Sequence, residues 1–364
     1  MRKYSYKLSN KEEEIILEKD RVGIKEWSQL QNRWLSLKKF NVTIHNNSET
    51  VNWSNGLSLT ADKDKKVRKE AIMNVMGGLE QDQELFARCL RNICANHVYE
   101  SKRRGYPSFM ESSLIENDIS QNIVDNLLIE VESHLSLFHK FLQLKAKIMG
   151  TKKLLGEDYE APIPFDEEQS KTWDQAQKEV IEIYSNFHPE IGKLTEEIFN
   201  NKRIDAEPRQ GKRPGAFTAF WYGGKSTFSM LSYNGKIADV KTLTHEMGHA
   251  IHGHLLASNQ SFFNFYPTVV MAETASEFGT MLFLDHFLAS KTSKEQEKYS
   301  LFIIVEKIIN EIFEVASRTR FEQYLYEAVD NNELLNAEKI NDLFWKARKK
   351  YFDDFVEWMP EQVY

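Results

Sequence analysis

The strongest chemical signal in this chain lies in the string THEMGHAIHGH, which places His245, Glu246 and His249 together. On an α-helix, residues four positions apart lie one above the other on the same face. Two imidazoles so placed can reach one ion at the ~2.0–2.1 Å of a zinc–nitrogen bond. Glu246 stands one position round from His245, where it can take a proton from water at that ion without being a ligand. The H-E-x-x-H pattern is the arrangement of zinc peptidases, with its Glu as general base.

Such a site needs a third ligand. His252 and His254 are near in sequence, but the helix carries His252 almost a full turn past His249, too far to share the ion. The longer metzincin pattern fails as well, because Leu255 stands where its third histidine would be. Downstream, VVMAETASEFGTMLFLDHFL predicts a second amphipathic helix with Glu273 and Glu277 on one face. Glu273 is the expected third ligand, giving His₂Glu and an open position, the form of a catalytic zinc site. Glu277, one turn on, either accepts the free N–H of a ligating histidine or stands in solvent. In that site zinc would lower the pKa of water and polarise a carbonyl, and Glu246 would move the proton to the leaving amine.

These residues need a scaffold. Asp239 is the expected N-cap of the first ligand helix and Asn259 its end, with Val240, Leu243, Met247, Ala250, Ile251 and Leu255 on a core-facing side. Ahead of it, AFTAFWY and STFSMLSY flank Gly223 and Gly224 and predict a β-hairpin. A strand there could pair with an extended peptide through main-chain hydrogen bonds.

Elsewhere the chain reads as helix, so the expected fold class is mainly α with a small antiparallel β-hairpin beside the zinc helix. Ser9 and Glu12 form a capping box for a helix running to Phe40. Asp118 and Gln121 form another, before a run with Ile123, Leu127, Val131, Leu135, Phe138 and Leu142 that Gly150 ends. Asp166 and Gln169 open a further helix, and residues 294–329 and 337–358 complete the tail. Four regions are expected: N-terminal helices at 1–150, a helical linker at 151–204, the zinc-binding core at 205–290 and C-terminal helices at 291–364.

Bulk properties set outer limits. With 41% hydrophobic and 28% charged residues, 364 positions can build an ordinary globular core. A net charge of −7 gives no electrostatic reason to expect nucleic acid. Two cysteines, Cys89 and Cys94, exclude a disulfide framework and cannot make a cysteine zinc site; they read as free thiols on a helix. No apolar stretch follows the basic N-terminal residues, and no window is apolar enough to span a membrane. The expectation is a soluble cytoplasmic protein without nucleic-acid or membrane partners; its oligomeric state is open.

At the zinc motif the chain resembles the oligoendopeptidase F branch of the thimet oligopeptidase family. THEMGHAIHGHL, with its additional His252, MAETASEF around Glu273 and GKRPGAF before the hairpin carry the resemblance. KLSNKEEEII, RRGYPSFMESSLIENDI, the Ala161–Pro162 pair and SRTRFEQYLYEA extend it over most of the chain. It implies helical bundles around a substrate channel over one zinc ion, with short peptides as substrates. It assigns zinc to His245, His249 and Glu273, makes Glu246 the base, and matches Asp239 to the family's aspartate before the zinc helix. Three departures stand out: an N-terminal helical region is missing, Thr280 replaces a glutamate, and WMPEQVY ends before the family's transition-state histidine and tyrosines. They predict zinc binding with slow turnover by this chain alone, unless tyrosines such as Tyr222 or Tyr233 substitute. The alternative is a catalytically weak zinc-binding fragment, serving as a peptide-binding module or half of a split peptidase.

Overall fold

Ser9 opens the fold as predicted. The Glu12 carboxylate accepts the Ser9 amide at 3.0 Å while the Ser9 hydroxyl accepts the Glu12 amide, which partners two donors that a helix start leaves open. The computed structural model describes residues 5–164, 170–209, 212, 215–290 and 293–362. The first helix does not run on to Phe40. It divides into α1 (Asn10–Val22) and α2 (Ile24–Leu37) at Gly23, the residue there with the weakest hold on helical backbone. β1 (Lys39–Ile44) and β2 (Asn47–Asn52) follow as an antiparallel hairpin with no counterpart in the sequence expectations. Its turn uses His45 and Asn46, both at positive φ, in place of the Asn-Gly that usually marks such a turn.

Next come α3 (Trp53–Ser58), α4 (Lys65–Ala71), α5 (Gln83–Arg104), α6 (Glu111–Asn117), α7 (Gln121–Ser133), α8 (Leu135–Ile148) and β3 (Leu154–Leu155). Cys89 and Cys94 are both free and buried on α5. Asp118 does not cap α7: it is the left-handed C-cap of α6 at φ 52°, and Ser120 precedes α7 without a side-chain cap bond. The long run expected from Ile123 to Leu142 breaks at His134, so Ile123 and Leu127 stay exposed while Phe138 and Leu142 are buried.

The chain forms two compact units, one of Met1–Pro164 with Glu306–Tyr364 and the other of Phe165–Val305. The expected Asp166–Gln169 cap lies outside the described residues. Within the second unit, α9 (Trp173–Phe187) is capped instead by Thr172 and Gln175, and α10 (Pro189–Asn200) follows. β4 (Ile204–Asp205), β5 (Phe217–Trp221) and β6 (Ser226–Met230) make a three-stranded sheet in the order β4-β6-β5. β5 and β6 are the predicted antiparallel hairpin, with Thr218 opposite Ser229; β4 adds to β6 in parallel. α11 (Ile237–Asn259) and α12 (Val269–Ala289) are the two predicted ligand helices.

α13 (Lys294–Ile309) then passes through a π-helical turn at Asn310–Glu314 into α14 (Val315–Asp330), and α15 (Ala337–Phe352) follows. The last helix stops six residues short of the expected Trp358. Asp353 turns the chain at φ 45°, and β7 (Val356–Glu357) pairs in parallel with β3. No helix among the described residues is long and apolar enough to cross a membrane.

The core of the second unit explains why α11 sits where it does. Val240, Leu243, Met247, Ala250 and Ile251 pack with Val180, Ile183 and Tyr184 of α9 and with Phe283, Leu284 and Phe287 of α12. Burying each of the Val, Leu, Ile, Met and Phe side chains among these contributes roughly 1.5–3 kcal/mol. Leu255, expected on this face, is 42% exposed, while Ala257 two residues further on is buried, so the covered face of the helix has turned away from it. The α11–α12 crossing is closer than ordinary side chains allow. A Cβ at Gly248 would lie 2.5 Å from the Ala275 carbonyl oxygen and 2.8 Å from Ser276 Cα; one at Gly279 would lie 2.7 Å from the Thr244 carbonyl oxygen.

These neighbours are backbone atoms and cannot turn aside. Gly248→Ala should therefore lower stability by about 1–3 kcal/mol through overpacking, outweighing the ~1 kcal/mol that alanine gains in a helix. Chemical denaturation of both proteins checks this; an unchanged or raised midpoint would contradict the tight crossing.

Candidate active site

Asp239 begins the site from one turn inside α11. The N-cap residue is Lys236, not Asp239; the Asp239 carboxylate reaches back to accept the amides of Asn234 at 2.7 Å and Lys236 at 3.1 Å. A negative charge at this end also suits the helix dipole. The helix so anchored carries His245 and His249 on the side facing α12, with ring centroids 5.0 Å apart. From α12, Glu273 Oε2 lies 3.6 Å from Nε2 of each histidine. All three ligand atoms fall within 4.8 Å of one another, so the group can hold one metal ion. His252 and His254 are not part of it.

The partners of each ring sort its nitrogens. His245 Nδ1 lies 3.3 Å from Glu277 Oε1 and 3.2 Å from Thr280 Oγ1. The Thr280 hydroxyl donates its single proton to the Ser276 carbonyl, which leaves it an acceptor toward the ring. Both neighbours thus favour a proton on Nδ1 and a lone pair on Nε2, the atom facing Glu273. His249 bonds to the backbone of Ala272. Glu273 Oε2 accepts from the buried Ser276 hydroxyl at 2.9 Å. Behind the site, Tyr184 donates to the Thr244 carbonyl at 2.8 Å and ties α9 to the residue before His245.

Glu246 has a different environment. It is only 4% exposed, against 51% for the Glu273 side chain. Its Oε2 accepts from Thr218 Oγ1 of β5 at 2.7 Å. Burial pushes its carboxyl above the ordinary range, and the charge of Glu273 adds to this; the Thr218 bond and His245 oppose it. Burial works against a charged His245, yet Glu277, Glu246 and Glu273 together hold its pKa above the usual value. For His249 burial prevails and the pKa falls. Tyr233 is committed elsewhere, donating to the Lys171 carbonyl at 2.8 Å, and Tyr222 packs against Phe262 and Phe265.

The motif and the acidic helix were legible in the sequence. Thr218, Ser276 and Tyr184 were not, as hydroxyl residues are common and only the fold aims them. A partial signal existed on α12, where Glu273, Ser276, Glu277 and Thr280 recur at the three- and four-residue spacing of one helical face.

A mainly helical unit with a small sheet, bringing a His₂Glu trio beside a buried carboxylate, has the build of a metallopeptidase. The chain belongs to peptidase family M3, whose pattern matches residues 58–362, and falls with its oligoendopeptidase F branch. It is 27% identical over 306 residues to oligoendopeptidase F (chromosomal) of Lactococcus lactis subsp. cremoris, covering 84% of this chain and 50% of that protein. With oligopeptidase PepF of Bacillus subtilis (strain 168) it shares 23% over 353 residues, or 95% of this chain and 52% of the relative. The crystal structure of oligoendopeptidase-F from Enterococcus faecium superposes with a TM-score of 0.71 at 21% identity, over 99% of this chain and 60% of that one. This chain thus spans about half the length of these curated relatives.

The state of Glu246 yields a stability test in the metal-free protein. Its pKa is raised on folding, so the fold favours the neutral form. That contribution is present below the unfolded value and is lost as pH rises through the folded one. Glu246→Gln, neutral at every pH, should melt higher than the parent at pH 7. The gap should close as pH falls toward the ordinary carboxylate value of 4.5. A gap that is absent, or that widens in acid, would show the carboxylate to be well solvated.

Proposed function

We propose that this chain is a zinc endopeptidase that cleaves short oligopeptides in the cytoplasm, with zinc on His245, His249 and Glu273 and Glu246 as general base. One observation carries the reading: a metal-competent trio contributed by two helices adjoins a buried carboxylate that lies outside the trio. The donor set suits zinc, which takes imidazole nitrogen and carboxylate oxygen readily. The 3.6 Å separations lie near the ~3.4 Å between ligand atoms of a tetrahedral ion with ~2.1 Å bonds. Family M3 is zinc-dependent in general. When bound, zinc supplies Lewis acidity, polarising the scissile carbonyl and lowering the pKa of water.

The side chains do the proton work. Glu246 takes a proton from the attacking water and returns it to the leaving amine nitrogen. Its raised pKa makes it a stronger base than a solvated carboxylate, at the cost of needing a higher pH to ionise. Glu277 and Thr280 keep the His245 proton on Nδ1. β5, at the edge of the sheet, can align an extended peptide through its main chain, a mode that tolerates many side chains. Short peptides are the substrate class that the names of the relatives suggest.

Turnover of a quenched fluorescent peptide, measured with zinc content, tests the reading. Glu246→Gln should keep its zinc and lose about 10²–10⁴-fold in turnover. Loss of zinc from this variant, or near-parent activity, would falsify the base assignment. A zinc titration separates the two acidic residues of α12. Glu273→Ala should abolish tight binding, whereas Glu277→Ala, which removes only a partner of His245, should weaken it about 10–100-fold. Equal affinities, or a greater loss for Glu277→Ala, would mean that the ligand is misassigned.

A further inference from the structure

The Thr218 hydroxyl has three oxygen neighbours: Glu246 Oε2 at 2.7 Å, Ser229 Oγ at 2.8 Å and the Glu246 carbonyl oxygen at 3.2 Å. It has one proton to give. The shortest of these contacts is the one to the carboxylate oxygen, so the proton points at Oε2. Ser229 can then donate into a Thr218 lone pair. Ser229 is buried and stands opposite Thr218 in the β5–β6 register. The outcome is a directed chain from Ser229 to Thr218 to Glu246, running across two strands into the helix.

We infer that Thr218 is a positioning residue for the general base, holding Glu246 by Oε2 so that Oε1 is left for the water. The inference rests on the reading of Glu246 as that base. Its physical sense lies in where Thr218 sits. A glutamate has three side-chain torsions, and burial alone does not select one orientation of its carboxylate. A hydrogen bond from a strand does. The same strand is the sheet edge that a peptide would join. One rigid element would then set both the scissile bond and the base, which is how an active site avoids the cost of aligning them at each turnover. A merely structural role, pinning β5 to α11 through the Glu246 carbonyl, needs no particular orientation of the carboxylate.

Thr218→Val keeps the branched shape of the strand residue and removes the donor; Thr218→Ser keeps the donor. In the zinc-loaded protein, Thr218→Val should lose about 10–100-fold in kcat, the worth of a hydrogen bond to a charged group. KM for the quenched peptide and zinc content should stay at parent values, and Thr218→Ser should restore most of the rate. A Thr218→Val kcat equal to the parent's, or a Thr218→Ser variant no faster than Thr218→Val, would overturn the inference. Crystal structures of the metal-free parent and Thr218→Val proteins read the geometry without turnover. The Glu246 carboxylate should leave its parent position in the variant, and a superimposable carboxylate would overturn the positioning role whatever the kinetics. If instead the parent and Glu246→Gln turn over peptide equally, the general-base reading fails on its own. The crystallographic comparison would then still decide whether Thr218 holds the carboxylate.

Discussion

The close crossing of α11 and α12 is the constraint on which the rest of the site depends. Ligand atoms on different helices must come within a few ångströms of one point, and helix axes usually lie 8–10 Å apart. Gly248 and Gly279 remove the Cβ atoms that would meet the backbone of the facing helix. Two glycines in helix interiors cost about 1 kcal/mol each in intrinsic propensity, so only a packing requirement makes them economical. The core on the other sides of α11 supplies that packing. Tyr184, its hydroxyl on the Thr244 carbonyl, extends the same junction to α9.

Given that crossing, the electrostatics take their character from crowding. Glu246, Glu273 and Glu277 surround two imidazoles, and the pKa of His245 rises despite its burial. At Glu246 burial, with the charge of Glu273 adding to it, disfavours the ionised form. The carboxylates differ in exposure as their proposed tasks require. Glu273 is about half exposed, open to an ion and the solvent side of the site, while Glu246 is withdrawn beneath β5 and bonded to Thr218.

Hydroxyl groups do much of the aiming. Thr218, Ser276 and Thr280 each bond to a residue of the acidic and histidine cluster. Each is short and uncharged, so it directs a neighbour without adding to the charge already gathered there. Thr280 stands where the resemblance leads one to expect a glutamate, and here it joins Glu277 at Nδ1 of His245. The departure therefore leaves the ring with two partners.

By itself the sequence determined the helix and hairpin types in the second unit, the pairing of His245 with His249, and the face shared by Glu273 and Glu277. Those features are periodic and local, and the 3.6-residue repeat or a Gly-Gly turn expresses them within a few residues. It missed the breaks at Gly23 and His134 and the hairpin at Lys39–Asn52, and it misassigned the caps at Asp118 and Asp239. There the signals were single residues competing with longer apolar patterns. Only the tertiary structure decided that α12 crosses α11 at Gly248, that Leu255 is left uncovered, and that a threonine 28 positions before Glu246 donates to its carboxylate. These are distances between segments remote in sequence. They are set by how side-chain volumes fill a shared core, a quantity that no local spacing records.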